Sequence, residues 1–217
     1  MTYTLILGNK NLSSWSLRAY MAMRATGAPF EETIIRLDQP ETRTSIAART
    51  PAGKVPVLKI DEGGRTLTVW DSLAICETLA ERHPDAKLWP DDAAARALAR
   101  SYAAEMHAGF PDLREQLPMN FARKLLRPAV REATAKQVER IIEAWLFALE
   151  QYGKTGGFLF GRFSIADCIY SPVVSRFVTY GIEMPPTVKA YCERVMAIAA
   201  MQDWGAAARL EIEAGWK

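Results

Sequence analysis

Every segment of this chain that reads as a β-strand lies before Asp71, and from Ala93 to the C-terminus the sequence is helix-rich and strand-poor. "YTLIL" (Tyr3–Leu7) is a short β-rich run. "SSWSLRAYMAMRATG" follows, with Trp15, Leu17, Tyr20, Met21 and Ala25 on one helical stripe that Gly27 ends. "FEETIIRL" (Phe30–Leu37) reads as a second strand, and "QPETRTSIAARTPAG" as a polar loop or short helix. "VPVLKI" (Val55–Ile60), "DEGG" and "RTLTVW" (Arg65–Trp70) read as a hairpin across a glycine turn. "DSLAICETLAERHP" (Asp71–Pro84) reads as a helix that stops before its proline. The order is β-α-β, a loop or short helix, β-β-α, then helices. It predicts a small α/β domain followed by an all-α domain. Pro and Asp cluster between periodic segments over Pro84–Asp92, so the expected division is 1–84, a linker at 85–92, and 93–217. In the second part, "KQVERIIEAWLFALE" lines Val138, Ile141, Ile142, Trp145 and Leu149 along one helical face.

Composition removes several classes of function. The 217 residues are 49% hydrophobic and 24% charged, which is globular and not disordered. The formal charge of +2 and the alternation of basic and acidic residues supply no field for nucleic acid, and no basic run carries interleaved aromatics. No segment reaches the roughly 20 apolar residues of a membrane span. "MTYTLILGNK" has no basic n-region and no small-residue cleavage site, so it reads as a first strand and the expected location is cytoplasmic. Cys76, Cys168 and Cys192 are far apart, with no C-x-x-C pair. They are expected to be buried and reduced, with no disulfide framework and no metal site.

Three short stretches carry chemistry. "LGNKNLSSWSLRAY" packs Asn9, Asn11, Ser13, Ser14 and Ser16 between a strand and a helix, more small polar groups than a turn and a cap require. In "PAGKVPVLKI", Pro56 cannot donate a ladder hydrogen bond and belongs at a strand start or edge. A cis bond there would turn the N–H and C=O of Val55 outward, where an extended peptide could pair with them; a trans proline opening an edge strand is the commoner case. In "VWDSLAI", Asp71 and Ser72 stand between strand and helix. Either can cap the helix. The first N–H groups of that helix and the Ser72 hydroxyl also form a seat for a carboxylate, and Asp71 can pair with an ammonium. An α-amino acid end would fit.

"VPVL" followed by "D-S-x-x-I" at this spacing resembles the glutathione-binding half of the cytosolic glutathione transferases. "GGFLFGRFSIADCIYSP" (Gly156–Pro172) resembles that family's C-domain pattern F-L-x-G-x-x-x-S-x-A-D, within which Ser164 and Asp167 form an S-x-x-D capping box. The resemblance covers essentially the whole chain. It implies a thioredoxin-like N-terminal domain, an all-helical C-terminal domain, glutathione as co-substrate and a two-fold homodimer. It implies that Val55, before Pro56, pairs with the cysteinyl backbone of glutathione, that Asp71 and Ser72 hold its γ-glutamyl end, and that Lys54 reaches its glycyl carboxylate. Arg43 and Arg49 lie in a loop where the family sometimes places anion contacts.

In this family a hydroxyl or thiol near the first helix N-terminus faces the glutathione sulfur. A hydrogen bond from that group favours thiolate over thiol, and the helix N-terminus adds positive potential. Lowering a thiol pKa of about 8.5 by about 2 units corresponds to roughly 2.7 kcal/mol of preference for the anion. "SSWSLR" is closest to the zeta-like branch, whose motif is S-S-C-x-W, but Ser14 here directly precedes Trp15. Ser13 is the first candidate for the sulfur contact, followed by Ser14 and Asn11; Ser14 is also the expected helix cap. Arg18 is expected on the helix flank as a structural or dimer-contact residue, with anchoring of the glutathione carboxylates as its alternative. Trp15, Met106, Phe110 and Met119 are candidate walls for the second substrate, although their spacing also fits helix packing. His107 is one of two histidines and has no partner identifiable in the sequence, and His83 reads as a helix C-terminal residue. The expected activity is conjugation of glutathione to an electrophile. The alternatives are a zeta-type isomerase, a mixed-disulfide reductase or peroxidase, and a non-catalytic carrier of glutathione or hydrophobic ligands.

Overall fold

The computed structural model describes residues 1–216. Its elements run β1 (Thr2–Gly8), α1 (Ser14–Thr26), β2 (Glu31–Ile35), α2 (Thr42–Ala47), β3 (Val57–Glu62), β4 (Arg65–Trp70) and α3 (Ser72–Arg82). A 3-10 turn at Pro84–Ala86 leads to α4 (Ala93–Ala108), α5 (Pro111–Gln116), α6 (Glu132–Gln151), α7 (Ile165–Thr179), α8 (Pro186–Met196) and α9 (Ala199–Glu213). The four strands form one sheet in the order β2-β1-β3-β4. β1 runs parallel to β2 and antiparallel to β3, and β3 pairs antiparallel with β4. This is a thioredoxin-like mixed sheet followed by a helical bundle. Among the described residues no helix is long and apolar enough to cross a membrane.

Local chemistry explains where the strands differ from the sequence expectation. β3 begins at Val57 and not at Val55, because Pro56 has no N–H to place in the ladder. The Val55–Pro56 bond is cis. β3 continues through Asp61 and Glu62, so the turn is Gly63–Gly64 alone. Both glycines have positive φ (56° and 76°), as a two-residue hairpin of this kind requires. β2 is shorter than the apolar run around it: Phe30 lies outside the strand and packs edge-on against Tyr20, with centroids 6.2 Å apart.

One hydrophobic cluster joins sheet and bundle, running from Leu5 and Leu7 on β1 through Leu17 and Met21 on α1 to Ile169 and Val173 on α7. α7 is buried along nearly its whole length and packs on α1, α4 and α8. Trp145 on α6 sits at the bundle centre, with the rings of Tyr170, Phe177 and Tyr191 5.2–5.4 Å away. The start of α7 is tied by Asp167. Its carboxylate accepts from the Ser164 N–H and hydroxyl (2.9 Å each), the Leu159 N–H (3.1 Å) and the Tyr191 hydroxyl (3.1 Å). Burial nevertheless raises the Asp167 pKa to about 6, with these bonds opposing.

Candidate active site

A cleft of about 540 Å³ opens beyond the C-terminal end of β1, between the sheet and α4. That volume lies within the range of small-molecule sites. Its lining comes from three loops, at Leu12–Trp15, Ala52 with Lys54–Pro56, and Trp70–Ser72, together with Leu37 and His107. The structure therefore brings Ser13, Ser14, Trp15, Lys54, Val55, Pro56, Asp71 and Ser72 around one space.

Ser13 is the N-cap of α1, with non-helical backbone (φ −84°, ψ 88°). Its Oγ accepts from the Ser16 N–H at 3.4 Å and lies 2.8 Å from the Ser16 Oγ. This corrects the expected cap. A cap oxygen reaches N–H groups two or three residues on, and Ser14 is already the first helical residue.

The other polar residues of this loop fasten it. Asn9 Oδ1 accepts from the Leu37 N–H at 2.7 Å. The Lys10 and Asn11 N–H groups donate to the two carboxylate oxygens of Glu211 on α9, at 2.7 and 2.9 Å. Trp204 Nε1–H donates to the Lys10 carbonyl at 2.6 Å. Asn11 is fully buried away from the cleft, with its Oδ1 accepting from the Ala122 N–H at 3.0 Å. The structure does not bring Asn11 to the site. Its amide holds the loop to the bundle.

Asp71 has φ 71° and ψ 135°, an uncommon backbone for a residue with a side chain, and such outliers concentrate at functional sites. Its Oδ1 caps α3 by accepting from the Leu73 N–H at 2.8 Å. Its Oδ2 lies 3.4 Å from His107 Nε2, so the structure supplies the partner the sequence could not name. Burial lowers the His107 pKa, Asp71 opposes, and Arg18 and Arg114 add to the lowering. The Ser72 hydroxyl is buried with no partner among the described residues. An unpartnered buried hydroxyl on the first residue of a helix that lines a cleft can take a hydrogen bond from a ligand or give one to it. Val55 makes no backbone hydrogen bond among the described residues, so its N–H and C=O remain open to an extended ligand. These observations fit the polar ends and peptide backbone of glutathione.

Trp15 forms the wall toward the bundle. His107 meets its ring edge-on at 5.1 Å, and the guanidiniums of Arg18 and Arg114 lie 4.3 and 4.9 Å from its centroid. Arg18 is wholly buried, and none of its three side-chain nitrogens has a partner among the described residues. Burial holds its guanidinium well below the usual range, and Arg114 and Arg176 add to this. It does not line the cleft, so it is outside the glutathione seat that was its alternative, and its place against Trp15 is that of a buried structural residue of α1. Met106, Phe110 and Met119 also lie elsewhere than expected. All three are buried in the core and none lines the cleft. On α4 the residue facing the cleft is His107, and its neighbour Met106 points about 100° away around the helix. Arg43 and Arg49 lie on and just after α2, outside the cleft. His83 ends α3, as read from the sequence, and its Nε2 is 2.9 Å from the Tyr3 hydroxyl. Leu12, Leu37, Ala52 and Trp70 also line the cleft, and of these only Trp70, adjacent to Asp71, carries a signal in the sequence. All three cysteines are buried and unpaired, none lines the cleft, and burial pushes Cys76 and Cys192 up to about 12 and Cys168 well above its ordinary value. A protein thiolate at this site is therefore not available.

Comparison with known proteins agrees with this geometry. The family model "Glutathione S-transferase, N-terminal domain" matches residues 12–82, and "Glutathione S-transferase, C-terminal domain" matches residues 128–194. A probable maleylacetoacetate isomerase of Caenorhabditis elegans is 35% identical over 101 residues, which span 46% of this chain and 45% of that protein, less than half the length of either. Among solved structures, a glutathione transferase homologue from Burkholderia with bound glutathione superposes with TM-score 0.72 and 26% identity, covering 96% of this chain and 98% of that one. A maleylacetoacetate isomerase from Anaeromyxobacter dehalogenans with glutathione in its active site gives TM-score 0.67 and 28% identity, covering 94% and 95%. The two family models together take in more than half of the residues, one on each side of the change from sheet to helices. The chain belongs to the glutathione S-transferase family.

Proposed function

We propose that this chain binds glutathione in the cleft, holds its sulfur as thiolate beside Ser13, and conjugates it to an electrophile that enters against Trp15 and His107. The observation that carries the reading is that the cleft lining brings together two unused hydrogen-bonding groups, the Val55 backbone and the Ser72 hydroxyl, with the half-exposed Asp71 carboxylate that caps α3 and faces His107. In this reading the Ser72 hydroxyl and the first N–H groups of α3 take the α-carboxylate of the γ-glutamyl end, and Asp71 takes its ammonium. Val55 pairs with the cysteinyl backbone and Lys54 with the glycyl carboxylate. The sulfur then lies at the N-terminus of α1, where the Ser13 hydroxyl and the helix both favour the anion. Assembly as a homodimer and a cytoplasmic location belong to the same proposal.

A second reading is glutathione-dependent isomerisation of an acidic substrate. What favours it is the positive charge around the cleft, with Lys54 on its rim and Arg18 and Arg114 against Trp15, together with the name of the related isomerases. Two assays separate the readings. One follows conjugation of glutathione to a chromogenic aryl halide, and the other follows glutathione-dependent isomerisation of maleylacetoacetate by ultraviolet absorbance. The first reading expects turnover in the conjugation assay that Ser13→Ala reduces. Glutathione binding without turnover in either assay would leave a carrier and overturn both.

A further inference from the structure

Ser16 lies one turn into α1, is fully buried and does not line the cleft. Its Oγ accepts from the N–H of Gly8, the last residue of β1, at 2.9 Å, and lies 2.8 Å from the Oγ of Ser13. The distance between two hydroxyl oxygens does not say which one gives the proton. Accounting for donors does. A serine hydroxyl has one proton and two acceptor positions. If Ser13 gave its proton to Ser16, the Ser16 proton would remain in a dry interior with no acceptor, and an unpaired buried donor is the costlier arrangement. If Ser16 gives its proton to Ser13, every donor in the dry interior is satisfied. In that arrangement Gly8 N–H donates to Ser16, Ser16 N–H donates to Ser13, and the 2.8 Å contact between the two hydroxyls has Ser16 as its donor, which the oxygen positions alone allow in either direction. The acceptor positions of Ser13 are then filled, and its own proton is left for the cleft.

We infer that Ser16 is a positioning residue that makes the Ser13 hydroxyl a donor toward the cleft and not an acceptor. This rests on the reading of Ser13 as the group beside the glutathione sulfur. A freely rotating hydroxyl can accept from a thiol S–H as well as donate to a thiolate, so it discriminates weakly between the two states. A hydroxyl whose acceptor positions are taken can only donate, and it therefore selects the anion. The chain Gly8 N–H, Ser16, Ser13 also links the end of β1 to the sulfur position, so the strand and the first turn of α1 fix the donor together.

The test is a double-mutant cycle on the intact chain, with glutathione as the probe. The thiolate absorbance of bound glutathione is titrated against pH for wild type, Ser13→Ala, Ser16→Ala and the double variant, with glutathione affinity and melting temperature measured alongside. Ser16→Ala is expected to raise the apparent thiol pKa by about 0.5–1 unit, and to add nothing once Ser13 is Ala, because Ser16 acts only through Ser13. Ser16→Cys fills the same space with a poor donor and is expected to behave as Ser16→Ala, whereas Ser16→Thr keeps the hydroxyl and is expected to keep the wild-type pKa. A merely structural role would lower the melting temperature and leave the pKa of bound glutathione in place. That outcome, or an equal shift in the Ser13→Ala background, overturns the inference. If Ser13→Ala itself leaves the pKa unmoved, the reading of Ser13 fails and the inference with it.

Discussion

Glu211→Ala removes a carboxylate from α9, far along the chain from the cleft, yet it should loosen the loop that carries the paired serines. The Glu211 oxygens accept the Lys10 and Asn11 N–H groups at 2.7 and 2.9 Å, and the side chain is only 9% exposed. Hydrogen bonds to charged groups contribute about 1.5–3 kcal/mol each, and truncation leaves both N–H groups buried without partners. The expected loss is therefore about 3–6 kcal/mol, or about 10–15 °C in Tm for a chain of this size. Glu211→Gln keeps one acceptor but turns an amide NH2 toward the other N–H, so it should recover about half of the loss. Urea unfolding gives the stability change, and hydrogen exchange at the Lys10 and Asn11 amides shows whether the loss is local. Glutathione binding should weaken in the same variants, because Ser13 follows directly from this loop. A loss below about 1 kcal/mol, with amide protection unchanged, would show that Glu211 does not hold the loop.

The remaining predictions concern other parts of the same framework. Asp167 holds its proton up to about pH 6 in the folded chain, against about 3.9 when unfolded. Between those values the folded state binds the proton and the unfolded state does not, so its contribution falls as pH rises from about 4 to 6, by roughly 3 kcal/mol. Urea titrations of wild type and Asp167→Asn at the two ends should show their stability difference change by that amount; a gap independent of pH would contradict it. Asn11→Ala should cost about 1–3 kcal/mol through the orphaned Ala122 N–H, and should leave the thiol pKa of bound glutathione where it is in wild type. Lys54→Ala should weaken glutathione binding about three- to tenfold in calorimetry with kcat unchanged, since Lys54 is exposed and the pair proposed for it would be solvent-screened.

Much of this architecture is written in local patterns. The alternation of strand and helix periods before Asp71, the glycine turn at Gly63–Gly64 and the S-x-x-D start of α7 each involve residues a few positions apart, which a sequence displays directly. The cleft residues Val55, Pro56, Asp71 and Ser72 were legible for the same reason, because a strand start and a helix start are local events. The misplaced residues depended on long-range geometry. Met106 and His107 are neighbours, and only the rotation of α4 against the sheet decides which of them meets the cleft. Asn11 could be placed only by knowing that Glu211, Phe121 and Ala122 fold back onto it. Two adjacent serines have equal cap propensity, so sequence alone does not choose between Ser13 and Ser14; the choice rests on where β1 ends and on the partner at Ser16.

In the proposed reaction a serine hydroxyl at the start of α1 holds glutathione as thiolate. The most direct measurement is the apparent pKa of glutathione bound to the purified chain, read from thiolate absorbance against pH, in wild type and Ser13→Ala. The bound pKa is expected well below the free-thiol value of about 8.5, and Ser13→Ala is expected to return it toward that value while glutathione still binds. Saturable binding with the same unshifted pKa in both proteins would contradict it.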